Sequence, residues 1–405
     1  MNFEKMIARD GADTLKVNDL YVYSKYRPLE DAERYIRSEF NSAAEGYLLI
    51  GLGLGYHLYA LFQKNQTKPI IVYCLDEEEI RLFQNSTVYN DLTRKTTIKI
   101  TNDLRELQIT ADYQIIIPHV WMQVMEKKHP LYSFLADIKM KQMTYKQYAP
   151  LMEDNFMKNV QLQEFHLTNH RYEKKVACLV ASGPSLNETK KWLAHVKDDV
   201  FILCVGSALK ILLNEGIQPD AVIITDPKHS ILSQLRGCSH DGLLYYLSTA
   251  SSSTVSEYQG PRCILLQEGY SLAEQSAKNN TYPLLETGGS VATTGFSLLE
   301  YLGFSHIILF GQDLGFFKNY THAENSTSGR TVNKEEQLIE IESNSNNTIY
   351  TTPNLNSYLR WFNEKITKSK VKVYNTAYQG AKINKTNYLN EKEFEKIVSL
   401  AKWKY

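Results

Sequence analysis

The strongest constraint on the fold is a phrase that repeats along the chain: a short apolar run, a turn of glycine, hydroxyl or acidic residues, then a segment of helical periodicity. The apolar runs fall at 47–50, 70–75 and 113–117, and again at 176–181, 200–205, 221–225, 243–248, 263–267 and 306–310. Strands with no polar face must be covered on both sides, which predicts parallel βαβ units. The expected fold class is therefore α/β: two Rossmann-like α/β domains in tandem joined by helices, with a small C-terminal helical region. At 405 residues the chain has room for two or three domains of about 150 residues each.

The expected boundaries are an N-terminal Rossmann-like domain over 1–118 and a helical connector over 119–175, since 121–172 shows no strand-like run. A central Rossmann-like domain follows over 176–350, and a segment over 351–405 completes it. Helices are expected at 29–40, 290–301 and 355–366, and a further strand at 371–374. Residues 318–353 turn polar, rich in Asn, Ser and Thr, next to a strand end. A long insertion in that position reads as a lid or recognition loop.

Composition removes several classes. Lys+Arg and Asp+Glu are equal at 45 each, so there is no basic excess of the kind that binds nucleic acid by neutralising phosphates. The start of the chain is polar, and the longest apolar stretch, near 47–62, is interrupted by glycines and His57. A membrane span needs roughly 20 clean apolar residues, so none is expected, and the reading is a soluble, cytoplasmic protein. Cys74, Cys178, Cys204 and Cys263 sit in apolar runs and no CxxC pair occurs, so the thiols read as reduced and buried and no metal is expected.

Chemistry is expected at the ends of the strands. Gly51-Leu52-Gly53-Leu54-Gly55 follows the first strand, and Asp76 ends the second. This spacing fits an S-adenosylmethionine or dinucleotide site, and equally a tight turn with no ligand. Ser182-Gly183-Pro184-Ser185 opens a helix, where free N–H groups and the helix dipole favour a phosphate. Thr225-Asp226-Pro227 and Gly311-Gln312-Asp313 follow predicted strands, and the glycine turn Gly288-Gly289-Ser290 leading to Thr294 opens a predicted helix. They should converge on the carboxyl edge of one sheet, where open α/β sheets bind ligands. His322 lies shortly after Asp313 and is a candidate general base. His166 and His170 are four apart but lack the glutamate of a zinc-protease helix.

Several of these motifs together carry a resemblance. Gly183-Pro184-Ser185-Leu186, Gly216-Ile217 with Pro219-Asp220, Thr225-Asp226-Pro227, Thr287-Gly288-Gly289-Ser290-Val291, Gly311-Gln312-Asp313-Leu314 and His322-Ala323-Glu324 form the set. It is completed by Val373-Tyr374-Asn375-Thr376 and Gly380-Ala381-Lys382-Ile383. The chain resembles the motility-associated factor (Maf) flagellin glycosyltransferases, with a core like the 6-hydroxymethylpterin diphosphokinase MptE-like domain and similar to bacterial sialyltransferases. It departs from the Maf pattern at Tyr378-Gln379, and it is short for that family.

The resemblance implies transfer of a nonulosonic acid, such as pseudaminic or legionaminic acid, from a CMP-activated donor to Ser or Thr hydroxyls of flagellin. It implies an inverting, metal-independent reaction with no cofactor beyond the donor substrate. Ser182, Gly183, Pro184 and Ser185 would hold the donor phosphate. Gly288, Gly289, Ser290, Thr294, Gln312, Asp313 and Asp226 would line the donor site. His322 is the first candidate for the base, with Asp226, His229 and Asp313 as alternatives. The competing readings are a pterin diphosphokinase using Mg²⁺ on Asp226 and Asp313, a non-catalytic flagellin-binding module, and a methyltransferase on the Gly51 turn.

Overall fold

The computed structural model describes residues 1–107, 113–162, 164–167, 175–316, 322–324, 326–327 and 338–402. The chain divides into two units, Met1–Met143 and Thr144–Tyr405. Each is a parallel α/β fold, so the two Rossmann-like domains expected from the repeating phrase are present.

In the first unit, a four-stranded parallel sheet runs in the order Ile98–Thr101, Ile70–Tyr73, Gly46–Ile50, Tyr113–Ile116. Gly46–Ile50 is central and buried throughout, which is why its sequence is apolar at every position. The helix Pro28–Glu39 has Pro at its start, Glu30 and Asp31 in the first turn and Arg37 in the last. That arrangement suits the missing N–H of proline and the helix dipole. Ala32 and Ile36 form its buried stripe. A small antiparallel sheet of Phe3–Ile7, Asp13–Val17 and Leu20–Tyr21 precedes it. The sequence reading contained neither this sheet nor Ile98–Thr101.

The second unit is built on a ten-stranded sheet. Its order is Leu284–Leu285, Arg262–Gln267, Leu243–Leu247, Ala221–Ile224, Phe201–Val205, Val176–Val180, His306–Phe310, Lys372–Asn375, Asn387–Tyr388, with Phe165–His166 pairing to Arg262–Gln267. All its pairings are parallel. The chain starts at Val176–Val180 and winds outward on one side through Phe201–Val205, then returns to the other side at His306–Phe310. The crevice between Val176–Val180 and His306–Phe310 is thus the topological switch point.

Three expectations change. The connector over 119–175 is not a purely helical layer. His119–Val124 packs Trp121 into the core of the first unit, the division falls inside the long helix Tyr132–Val160, and Phe165–His166 joins the second sheet. The polar insertion 318–353 is not all loop: Ile339–Glu342 and Thr348–Thr351 pair as an antiparallel hairpin. Its residues 318–321, 325 and 328–337 lie outside the described residues, as does His170. The C-terminal region has the expected helices, Pro353–Lys368 and Glu391–Lys402, and the expected strand, Lys372–Asn375, but adds a second short strand, Asn387–Tyr388, to the sheet. No helix among the described residues is long and apolar enough to cross a membrane.

Candidate functional site

The site builds up from the switch point of the second sheet. Beyond Val176–Val180, the turn Ser182–Ser185 leads into the helix Leu186–Val196, with Ser185 at its N-cap. Beyond His306–Phe310 come Gly311, Gln312 and Asp313. Gly183 N–H donates to the Gly311 carbonyl at 2.8 Å. Ser185 donates its N–H to the Asp313 carboxylate at 3.2 Å and its hydroxyl at 2.8 Å. A Cβ on Gly183 would run into the Asp313 carboxylate and the Gly311 carbonyl, so this close approach requires glycine. Asp313 is 6% exposed. Burial pushes its carboxyl up to about 7, against the pull of the Ser185 hydrogen bonds.

These contacts revise the expected phosphate cradle. The groups of Gly183 and Ser185 that were to hold a donor phosphate are engaged by the chain's own carbonyl and carboxylate. Asp313 is likewise a structural partner of the turn, and its backbone carbonyl accepts from Ala381 N–H at 2.7 Å. The Gly380-Ala381 motif therefore braces the strand end that carries Asp313.

His322 is brought to the same crevice. Ala323 N–H donates to the Ser182 carbonyl at 2.8 Å, and Glu324 N–H to Asn187 Oδ1 at 3.1 Å. Two anchors on the turn and first helical residues thus fix the His322-Ala323-Glu324 segment. His322 is half-buried there. Ser182 also shares a 2.8 Å hydrogen bond with the Ser207 hydroxyl, joining the first and second strand ends.

Next to this crevice, Gln312 is 5% exposed and its Oε1 has no hydrogen-bond partner among the described residues. Asn375, at the end of the adjacent strand Lys372–Asn375, is fully buried, and its Nδ2 has no partner among the described residues. A buried amide oxygen and a buried amide N–H₂ without partners, at the ligand-binding edge of a sheet, are what a bound polar ring would satisfy.

The glycine turn at 288–290 takes a different role from the one expected. Gly288 lies against the Trp361 indole and Gly289, at φ +89, near Tyr358. The indole in turn donates to Glu286 at 3.0 Å. Ser290 is the N-cap of Val291–Tyr301 in a capping box with Thr293. Thr294 hydrogen-bonds back to the Ser290 carbonyl at 3.3 Å. Glycine here admits a neighbouring helix, and the Ser290, Thr293 and Thr294 hydroxyls hold the helix start.

Two strands away, Asp226 is half-buried and accepts from Lys228 N–H at 2.8 Å. Its carbonyl accepts from Ser251 N–H at 3.0 Å. Asp226 and Asp313 are thus each engaged separately. The loop beyond Leu243–Leu247 is held by residues the sequence reading did not single out. Asn155 donates to the carbonyls of Pro227 and Thr249 and accepts from Ser252 N–H. Asn159 donates to those of Ser248 and Ala250, and Gln267 bridges Ser248 and Thr249. The available signal was two asparagines four apart in one long helix, where asparagine is a poor helix former.

The glycine turn of the first unit is closed from within. Glu79 is fully buried, and its carboxylate accepts from Leu52 N–H at 2.5 Å, Gly53 N–H at 3.0 Å, Leu75 N–H at 2.7 Å and Asp76 N–H at 3.2 Å. Trp121 lies against Gly51 and Phe83 against Gly55. Asp76 pairs with the N-terminal amine at 2.7 Å. The N–H groups expected to meet a cofactor carry the protein's own carboxylate.

Comparison with known proteins places this geometry. Residues 152–319 match the model of the 6-hydroxymethylpterin diphosphokinase MptE-like family. Over 212 residues the chain is 27% identical to an uncharacterized protein of Treponema pallidum (strain Nichols), covering 47% of this chain and 72% of that one. The MAf glycosyltransferase from Magnetospirillum magneticum AMB-1 has the same fold, with a TM-score of 0.53 and 14% identity over 98% of this chain and 73% of that chain. The matches agree with the resemblance carried by the motifs: residues 152–319 are similar to the MptE-like family, and the chain shares its fold with a Maf glycosyltransferase.

Proposed function

We propose that the protein is a glycosyltransferase that moves a nonulosonic acid from a CMP-activated donor to Ser or Thr hydroxyls of flagellin. The observation that carries this reading is the convergence, at the switch point of the second sheet, of the Ser182–Ser185 turn, Gln312, Asp313 and the His322 segment. The likeness in fold to a Maf glycosyltransferase over nearly the whole chain supports it.

In this reading the donor lies along the carboxyl edge of the sheet. Gln312 Oε1 and Asn375 Nδ2 offer an acceptor and a donor to the cytosine ring. His322 takes the proton of the acceptor hydroxyl as its oxygen attacks the anomeric carbon. The bond from that carbon to the phosphate oxygen breaks, and its electron pair leaves with CMP. Attack opposite the leaving group inverts the anomeric centre. CMP is a good leaving group, so neutral and cationic side chains suffice and no metal is invoked.

The test is intact-mass analysis of unmodified flagellin incubated with the purified protein and CMP-pseudaminic or CMP-legionaminic acid, without added metal. A mass gain of one nonulosonic acid residue supports the proposal. The family match at 152–319 favours a second reading, pyrophosphoryl transfer from ATP to a pterin alcohol. Formation of the pterin diphosphate with ATP and Mg²⁺, and no flagellin product, would put that reading first.

A further inference from the structure

We infer that Tyr378, packed on Tyr388 beside the crevice, is the docking point for the acceptor polypeptide, a neutral or basic segment that presents its Ser or Thr hydroxyl to His322. The inference rests on the glycosyltransferase reading and adds the acceptor side of the same site.

Contacts fix the position of this pair. Tyr378 lies in the loop after Lys372–Asn375, and both ends of that loop are fastened to residues of the crevice. Ala377 N–H donates to Asn375 Oδ1 at 3.0 Å, and Ala381 N–H to the Asp313 carbonyl at 2.7 Å. Thr376 N–H donates to the Leu309 carbonyl at 3.0 Å, near the end of His306–Phe310. A Cβ on Gly380 would run into the Asp313 backbone. Tyr388 belongs to the same place: it pairs in register with Asn375, and Leu389 N–H donates to the Asn375 carbonyl at 3.0 Å. The centroids of the two tyrosine rings are 5.1 Å apart, with the planes tilted by 51°.

The loop is pinned and its tip is open. Gly380 N–H closes a turn onto the Ala377 carbonyl at 3.1 Å. Asn344, from the hairpin of the polar insertion, clamps the carbonyls of Ala377 and Gly380 at 2.8 and 2.9 Å. Ala377, Gly380 and Ala381 are buried, whereas Gln379 is exposed and Tyr378 is 48% exposed. An aromatic ring held toward water on a fixed backbone loses little entropy when a partner covers it, which is why tyrosine so often anchors interfaces.

Charge decides between donor and acceptor. Besides Tyr378, the charges that act on Tyr388 are the Glu393 and Glu188 carboxylates, and Glu188 acts on Asp313 as well. Glu324 is exposed, with its N–H on Asn187, the neighbour of Glu188. Lys382, which follows Ala381, is paired with Glu342 at 2.8 Å. An acidic rim repels a CMP-nonulosonic acid, which carries both a phosphate and a carboxylate, and suits a neutral or basic polypeptide. The His322 segment and the aromatic pair flank the same first turn of Leu186–Val196, through Asn187 and Glu188. A polypeptide seated on Tyr378 therefore lies on the side of the crevice that carries the candidate base.

The test compares the wild type with Tyr378→Ala and Tyr378→Phe in transfer from CMP-pseudaminic or CMP-legionaminic acid to unmodified flagellin. Tyr378→Ala should raise the KM for flagellin about tenfold, with kcat, the donor KM and the thermal midpoint unchanged. Tyr378→Phe keeps the ring and should stay within about twofold of the wild type. Direct binding of flagellin to the immobilised chain, with CMP present, should weaken about tenfold in Tyr378→Ala and not in Tyr378→Phe. If Tyr378→Ala keeps the wild-type KM and affinity for flagellin, the acceptor docks elsewhere and this inference fails with the glycosyltransferase reading intact. A rise in the donor KM alone would seat the donor sugar on Tyr378 and overturn it equally. If the wild type neither binds nor modifies flagellin, the reading beneath it fails and takes the inference with it.

Discussion

Ser185 gives both its backbone N–H and its hydroxyl to the carboxylate of Asp313, 128 residues further along the chain. This one pair closes the crevice between the two strands on either side of the switch point. Each α/β unit uses the same device. A buried carboxylate, Glu79 in the first and Asp313 in the second, accepts from backbone N–H groups at the strand end where a ligand anion was expected.

The pair should be strongly coupled. Asp313→Asn and Ser185→Ala are each expected to cost about 1–3 kcal/mol, because each leaves a buried polar group without its partner. The double variant should cost clearly less than the sum. Urea unfolding of the four proteins measures the coupling. Strict additivity would show that the contact contributes nothing.

Both carboxyls bear on the pH dependence of stability. Burial pushes Glu79 from 4.5 and Asp313 from 3.8 up to about 7. Between those ordinary values and about pH 7 the folded chain holds protons that the unfolded chain has released. Their contribution to stability is therefore largest below pH 4 and falls as pH rises to about 7, then levels off. Asp313→Asn should flatten the decline between pH 5 and 7 by up to about 1.4 kcal/mol per pH unit. Urea midpoints across that range check it, and an unchanged slope would contradict the assignment.

Gly288 is expected to be intolerant of any side chain because the Trp361 indole occupies its Cβ position. Gly288→Ala should destabilise the chain by about 1–3 kcal/mol. Combining it with Trp361→Leu should cost less than the two separate effects added together. Thermal unfolding of the three variants decides this. A ligand-contact role for Gly288 would instead leave stability intact and remove only binding.

Much of the fold was legible because uniformly apolar strands advertise themselves. The runs at 176–181, 200–205 and 306–310 became Val176–Val180, Phe201–Val205 and His306–Phe310. Phe3–Ile7 and Asp13–Val17 mix charged with apolar residues and are partly solvated, so neither stands out as a core strand. Leu284–Leu285 and Asn387–Tyr388 are too short to carry a period. The glycines at 51, 183 and 288 mark turns, but a glycine does not say what lies against it. At these positions it is Trp121, Asp313 and Trp361. Asn155 and Asn159 showed only as two poor helix formers four apart, because their partners lie some 70 to 100 residues away.

His322→Ala should lower transfer about a hundredfold or more while leaving CMP binding intact, as expected for a base that acts on the acceptor. Parallel titration and transfer assays separate the two effects. Full turnover in the variant would move the role to another group or remove the need for a base.

The most direct measurement is calorimetric titration of CMP into the purified chain, with and without EDTA, alongside ATP with Mg²⁺. The account predicts saturable CMP binding that EDTA leaves unchanged, and no comparable heat from ATP with Mg²⁺. Binding of ATP with Mg²⁺ and no response to CMP would contradict it.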